Sequence, residues 1–290
     1  MNTLKIAVAG IGTVGSGLLE ILFKNKTFIE KKIEKRILIS AVASRTPKKI
    51  LKKLNKSTII FDDAKKLLDF NDYDLLVELI GGEGGIAKEI IINSLNKNKS
   101  VVTANKALVA QHGIEILKIA EKKNCKIAFE AAVAGGVPVI KVLKEFLLSN
   151  KIKKVFGILN GTSNYILSKM EETNKDFSAI LKDAQEMGYA ESDPSFDIDG
   201  TDTAHKLSIL SMVAYGKVMD FKTVFIEGIE KIEIDDIKFA DTLGYKIKLL
   251  GITQKIKGKV SQFVYPCLVD KKSTIASVNN VNNGIFIESD

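Results

Sequence analysis

The stretch that decides the fold is Ile6-Ala-Val-Ala9, followed by Gly10-Ile-Gly12-Thr-Val-Gly15 and an amphipathic run from Ser16 to Leu22. Four apolar residues entering a glycine turn read as a short buried strand, and the run after them has the period of a helix. Glycines at that junction let the backbone close on a pyrophosphate at the helix N-terminus, where unpaired N–H groups and the helix dipole favour an anion. The glycine spacing alone is a weak signal. In its strand–turn–helix setting it predicts a dinucleotide site built from Gly10, Gly12, Thr13, Val14 and Gly15.

Working outward, Ile37 to Ala43 reads as the next strand, whose end should meet the adenine ribose. Binders of NAD usually place a carboxylate there. This chain instead has Ser44-Arg45-Thr46-Pro47-Lys48-Lys49, and Arg45 is one of only two arginines, with Arg36. A guanidinium with lysines nearby suits a 2′-phosphate, so the expected cofactor is NADP, with NAD still open and a plain surface turn as the bland alternative. Leu75 to Ile80 leads into Gly81-Gly-Glu-Gly-Gly85 and a helix from Ile86 to Leu95. Ser100 to Thr103 leads into Ala104-Asn-Lys106, and Lys126 to Glu130 leads into a glycine-containing tract ending at Pro138. Strands alternating with helices predict a parallel sheet with ligands beyond the strand C-termini, which puts Gly81, Thr103 and Lys106 on the cofactor side. Lys106 would reach the nicotinamide end, unless it is simply a solvated lysine.

The predicted class is α/β, with a Rossmann-like parallel-sheet domain over residues 1–135 and an α+β substrate and dimerisation domain over 136–290. In the second half, Lys154 to Leu159 reads as a strand ending at Asn160-Gly-Thr-Ser-Asn-Tyr165. There Thr162 either contacts a substrate or caps the following helix. Helices are expected from Phe177 to Met187 and from Thr201 to Tyr215. Short alternating segments, Tyr245 to Ile252 and Gln262 to Val269, read as a sheet with helices on one face. Between the two helices, Ala184 to Lys206 gathers Glu191, Asp193, Asp197, Asp199 and Asp202 in an otherwise lysine-rich chain. Asp202 and Lys206 share a helix face at four-residue spacing. A cation beside several anions suits a zwitterion and a proton transfer; a solvated acidic loop with an ordinary ion pair is the bland reading. Ser195-x-Asp197-x-Asp199-Gly200 imitates the start of a calcium loop, but the twelfth position is Lys206 rather than glutamate, which excludes calcium.

With 290 residues, 46% of them hydrophobic, the chain can bury two cores. A net charge of +8 raises the question of nucleic acid, but nearly all of it is dispersed lysine, and base readout leans on arginine. No apolar run reaches membrane-spanning length and the start lacks a signal-peptide pattern, so a cytoplasmic enzyme is expected, acting on a small molecule with neither nucleic acid nor membrane as partner. Cys125 and Cys267 read as reduced structural thiols. His205 should point about 100° away from Lys206 on the helix, and His112 has no partner at metal-ligand spacing.

The gapless pattern Ala184, Gly188, Tyr189, Ala190, Asp193-Pro194, Asp197, Gly200, Asp202 and Lys206 resembles the signature of homoserine dehydrogenase. The tracts Thr103 to Ala110 and Asn160 to Tyr165 resemble the same family. The resemblance implies NADP-linked interconversion of L-aspartate 4-semialdehyde and L-homoserine, a step toward threonine, methionine and isoleucine, by a homodimer. It implies Lys206 as proton donor and Lys106 as its partner at the nicotinamide, though sequence leaves open which lysine carries the proton. Glu191 and Asp202 would bind the substrate ammonium and Asp197 would orient Lys206, with Thr162 and Tyr189 beside the substrate and Gly188 near the cofactor. It also implies a monovalent cation, usually sodium, on Glu130 and the carbonyls of Val133, Gly135 and Val137; a packed strand-to-helix turn is the alternative. Family members continue past a tract like Asn282 to Asp290 into a final helix that returns to the cofactor domain. The expectation is therefore a short form without a regulatory domain, and the second hypothesis is an NADP-binding homologue with impaired catalysis.

Overall fold

The computed structural model describes residues 2–46, 52–216 and 221–290. Lys48 and Lys49, expected near the ribose, lie outside the described residues. The chain divides into two compact units, Met1–Ala132 and Val133–Asp290, a boundary three residues before the one expected.

The first unit contains β1 (Thr3–Ala9), α1 (Thr13–Lys24), α2 (Lys26–Ile33), β2 (Arg36–Ala43), β3 (Ile59–Phe61), β4 (Leu75–Glu78), α3 (Gly85–Asn96), β5 (Ser100–Thr103), α4 (Lys106–Lys122) and β6 (Ile127–Ala128). Its six strands lie in the order β3-β2-β1-β4-β5-β6 and pair in parallel. The order reverses direction between β1 and β4, which is where a doubly wound sheet opens its ligand crevice. Strands covered on both faces carry continuous apolar runs, and Ile6, Val8, Ile39, Val42 and Val77 pack with Leu19 of α1 into one core. The strand expected over Lys126 to Glu130 shrinks to Ile127–Ala128, because a 3₁₀ turn takes up Glu130–Ala132.

The second unit opens with α5 (Val139–Lys141), which widens into a π-helical turn, Val142–Phe146. There follow β7 (Lys154–Ile158), α6 (Gly161–Thr173), α7 (Phe177–Glu186), α8 (Ser195–Ile198), α9 (Thr201–Tyr215), β8 (Phe225–Ile226), α10 (Ile234–Thr242), β9 (Tyr245–Ile256), β10 (Lys259–Asp270) and β11 (Gly284–Glu288). They form a mixed sheet in the order β11-β7-β9-β10-β8, antiparallel except for the β8–β10 pair. The two segments expected as short strands are instead twelve residues each. Lys257 and Gly258 both take positive φ, the two-residue turn that matches strand twist and lets the ladder run from Ile256–Lys259 to Tyr245–Asp270. Helix α9 lies so close to the sheet that a Cβ on Gly251 would come within 3.0–3.5 Å of Leu159, Thr203 and Leu207. From Asp202 to Met212 every position of α9 but Lys206 is buried, so its polar residues sit inside the unit. On the other side Phe156 and Phe286 stack at 5.4 Å, and with Ile252 they leave a half-buried apolar face.

Candidate functional site

In the first unit, the three glycines of the turn serve three different ends. A Cβ on Gly10 would lie 2.5 Å from the carbonyl oxygen of Leu79, and one on Gly15 would lie 2.1 Å from that of Gly10. Those two positions exclude side chains so that the turn and the helix can close. Gly12 caps α1 in an extended conformation, and a Cβ there would meet no protein atom within 4 Å. Space is therefore kept clear in front of the α1 N-terminus, whose first turn (Thr13, Val14 and Gly15) has no acidic residue to repel an anion. Gly10 and Gly12 line a cavity of about 540 Å³ together with Arg45, Ile80 and Ile86. This cradle fits a dinucleotide. Among the described residues no carboxylate pairs with the Arg45 guanidinium, which leaves it available to a phosphate. Asp63 lines the same cavity, and sequence reading missed it; it accepts from the N–H of Lys65 at 2.9 Å as the cap of a 3₁₀ turn.

Beside the cavity, the ends of β4 and β5 are joined through Glu78, also missed from sequence. Its carboxylate accepts from the N–H groups of Ile80 (2.7 Å) and Gly81 (3.2 Å), and from the Thr103 hydroxyl (2.6 Å). Thr103 is fully buried and its hydroxyl also accepts from Asn105 N–H at 2.9 Å, so its side chain is committed to the protein. Asn105 in turn caps α4 through Leu108 N–H at 3.1 Å, and Lys106 is the first residue of that helix.

In the second unit, α6 and α9 bring Asn160, Asp197, Asp202 and Lys206 together. Lys206 forms a 2.6 Å ion pair with Asp202 and donates to the Leu159 carbonyl at 2.7 Å. Asn160 caps α6 by accepting from Ser163 N–H at 2.8 Å, which fixes its amide orientation. Its NH₂ group then donates one bond to Asp197 (2.7 Å) and one to Asp202 (2.8 Å). The Asp202 side chain is 2% exposed and that of Lys206 is 16% exposed. The Asp202–Lys206 pair is the one the four-residue spacing predicts. Asp202 holds the lysine, while Asp197, half-buried, lies beyond ion-pair distance of it. The reason is helical: Asp202 is one turn before Lys206 on α9, whereas Asp197 belongs to α8.

The remaining expected residues sit around this group or apart from it. Thr162 is not the helix cap; its hydroxyl donates to the Tyr189 carbonyl at 2.9 Å, and the Tyr189 ring packs on Tyr165 at 4.9 Å. Gly188 takes φ +76, a turn conformation that follows α7. Glu191 is exposed, and its carbonyl accepts from the Gln185 amide. Asp193 is held below the usual carboxylate range by donation from the Ser195 hydroxyl and N–H. His205 is buried between the rings of Phe196 and Phe221, as its offset from Lys206 requires. His112 lies near Lys88 and Glu115 on the first unit. Among the described residues no three His, Cys, Asp or Glu side chains could share a metal ion. The tract from Glu130 to Val137 has positive φ at Ala134 and Gly136, and Val137 N–H donates to the Ala134 carbonyl.

Residues 138–290 match the family model for homoserine dehydrogenase, and residues 10–130 match that for the homoserine dehydrogenase NAD-binding domain. The chain belongs to the homoserine dehydrogenase family. It is 43% identical to homoserine dehydrogenase of Neisseria gonorrhoeae and 41% identical to that of Pseudomonas aeruginosa, in each case over 100% of this chain and 66% of the relative. It therefore spans about two thirds of the length of these curated relatives. The crystal structure of a homoserine dehydrogenase from Thiobacillus denitrificans superposes with a TM-score of 0.93 at 40% identity, covering 100% of this chain and 67% of that one. A hyperthermophilic archaeal homoserine dehydrogenase mutant, solved in complex with NADPH, has a TM-score of 0.83 at 26% identity, with 99% and 88% covered.

Proposed function

We propose that the chain catalyses the NADP-linked interconversion of L-aspartate 4-semialdehyde and L-homoserine. The observation that carries this reading is the environment of Lys206. Two of its three N–H bonds are taken by Asp202 and the Leu159 carbonyl, and among the described residues the third meets no protein acceptor. An ammonium so held keeps one proton directed away from its anchors, which is the geometry a general acid needs.

The dinucleotide would be held by Gly10, Gly12, Thr13, Val14 and Gly15 at its pyrophosphate and by Arg45 at the 2′-phosphate. Bound there, the nicotinamide supplies or accepts a hydride. In the reducing direction Lys206 donates its proton to the oxygen that becomes the alcohol, and it recovers one from solvent afterwards. Asp202 holds the ammonium in place, and Asn160 holds Asp202 in place. Asp197 and Glu191 are left to bind the substrate ammonium, with Thr162 setting the backbone at Tyr189 and Gly188. Lys106, at the start of α4, polarises the oxygen or assists the transfer.

Four accompanying assignments complete the reading. The preferred cofactor is NADP rather than NAD, supported by Arg45, which no carboxylate among the described residues pairs with. A monovalent cation, sodium by its hard-oxygen preference, is assigned to Glu130 and the carbonyls of Val133, Gly135 and Val137. A homodimer is assigned to the apolar sheet face around Phe156, Ile252 and Phe286. The compartment is the cytoplasm and the pathway that of threonine, methionine and isoleucine; among the described residues no helix is long and apolar enough to cross a membrane.

The test is Lys206→Ala. Turnover is expected to fall by about 10²–10⁴-fold, the usual contribution of a positioned acid, with the NADPH dissociation constant unchanged by fluorescence titration. Undiminished turnover in that variant would remove Lys206 from the mechanism.

A further inference from the structure

Glu78 is fully buried, and among the described residues no lysine or arginine lies within ion-pair distance of it. Its partners are donors. The N–H groups of Ile80 and Gly81 can only donate, and both meet Oε1. The Thr103 hydroxyl accepts from Asn105 N–H and gives its own hydrogen to Oε2. Three donors on two oxygens suit a carboxylate. A buried anion without a nearby cation is costly to keep, and structural carboxylates of this kind are normally paired.

The position of Glu78 suggests what the charge is for. It ends β4, on the far side of the sheet reversal from Arg45, and it is followed by Leu79 and Ile80, which line the cofactor cavity. A dinucleotide entering at Arg45 and crossing the glycine turn brings its nicotinamide half to the ends of β4 and β5. The oxidised ring carries a positive charge and the reduced ring does not.

We propose that Glu78 is a positioning residue with an electrostatic task. It ties the loop after β4 to the cap of α4, and its charge favours the oxidised, cationic nicotinamide over the reduced one. This rests on the nicotinamide reading of the cavity above. Two different variants separate the tasks. Glu78→Gln keeps the size and the acceptor for Ile80 and Gly81 but removes the charge, whereas Thr103→Val keeps the charge and breaks the link to Asn105.

The experiment is titration of NADP+ and NADPH into the purified wild-type chain and both variants, with thermal unfolding as a check on folding. In Glu78→Gln the ratio of the NADP+ to the NADPH dissociation constant is expected to rise roughly threefold to tenfold, a modest fraction of a full Coulombic pairing at protein dielectric. In Thr103→Val both constants should move together, leaving the ratio as in wild type. Equal changes for the two cofactor forms in Glu78→Gln, or no change, would overturn the electrostatic role. If Glu78→Gln fails to fold, Glu78→Asp serves instead, since it retains the charge and must keep the wild-type ratio; an altered ratio there would overturn the proposal. A wild-type chain that binds neither form would refute the nicotinamide reading itself, a result distinct from these.

Discussion

The two units would meet their proposed ligands by opposite means. The first uses backbone: a turn in which Gly10 and Gly15 are small because the protein itself fills the space, and Gly12 is small because something else must. The second uses buried side chains: a lysine, two aspartates and an asparagine whose bonds are nearly all satisfied within the unit. Backbone recognition is local and tolerates change elsewhere. A buried charge cluster depends on partners some forty residues away, and removing one partner leaves the others unsatisfied.

The glycines offer the sharpest way to break that comparison. Gly15→Ala forces a Cβ against the Gly10 carbonyl and should destabilise the first unit by about 1–3 kcal/mol, as overpacking does, measurable by chemical denaturation. Gly12→Ala should leave the unfolding midpoint where it is and weaken NADPH binding by roughly tenfold or more, since the methyl group occupies ligand space rather than protein space. If Gly12→Ala unfolds the chain as readily as Gly15→Ala, the distinction between structural and ligand-facing glycines is wrong.

On the other side of the comparison, Asn160→Asp replaces the shared donor with an acceptor between two carboxylates. Loss of hydrogen bonds to charged groups costs about 1.5–3 kcal/mol, so kcat should fall roughly tenfold to a hundredfold and its pH profile should shift, while NADPH affinity holds. A loss confined to stability, with kcat intact, would reduce Asn160 to a helix cap. Arg45→Ala should raise the NADP dissociation constant by roughly tenfold and leave that for NAD unchanged. Parallel weakening of both would mean that Arg45 does not read the 2′-phosphate.

The smallest effect concerns Lys248, 1% exposed, whose ammonium meets only neutral oxygens among the described residues: Asn164 (3.1 Å), Ser168 (3.5 Å), the Val278 carbonyl (2.9 Å) and Asn279 (3.0 Å). Burial, with a contribution from Lys246, lowers its pKa from 10.5 to about 8. Between those values the unfolded chain holds a proton that the folded chain has released, so this group makes stability rise with pH across that window. Comparing pH-dependent unfolding of the wild type with Lys248→Met should show the rise diminished in the variant; identical slopes would mean that the folded lysine titrates normally.

Much of the first unit was legible because its signals are local. Short apolar strands, a glycine turn and helical periods lie within a few residues of each other, and the expected strands at β1, β2, β4 and β5 appear within three residues of their predicted ends. What escaped notice was either too short, as with the three-residue β3, or a polar residue whose meaning depends on folding. Glu78 reads as one acid among many until the fold buries it beside Thr103. In the second unit the four-residue spacing predicted the Asp202–Lys206 pair. The other anchors of the group were not legible, because Asn160 and the Leu159 carbonyl arrive from the preceding strand–helix junction. The strand β11 escaped because Gly284 to Glu288 has a continuous rather than alternating apolar pattern and gains its role only by pairing with β7.

The measurement that tests the account most directly is homoserine-dependent reduction of NADP by the purified 290-residue chain, followed by absorbance with NAD in parallel. The account predicts turnover, faster with NADP. A chain that binds NADP yet shows no homoserine-dependent turnover would contradict it.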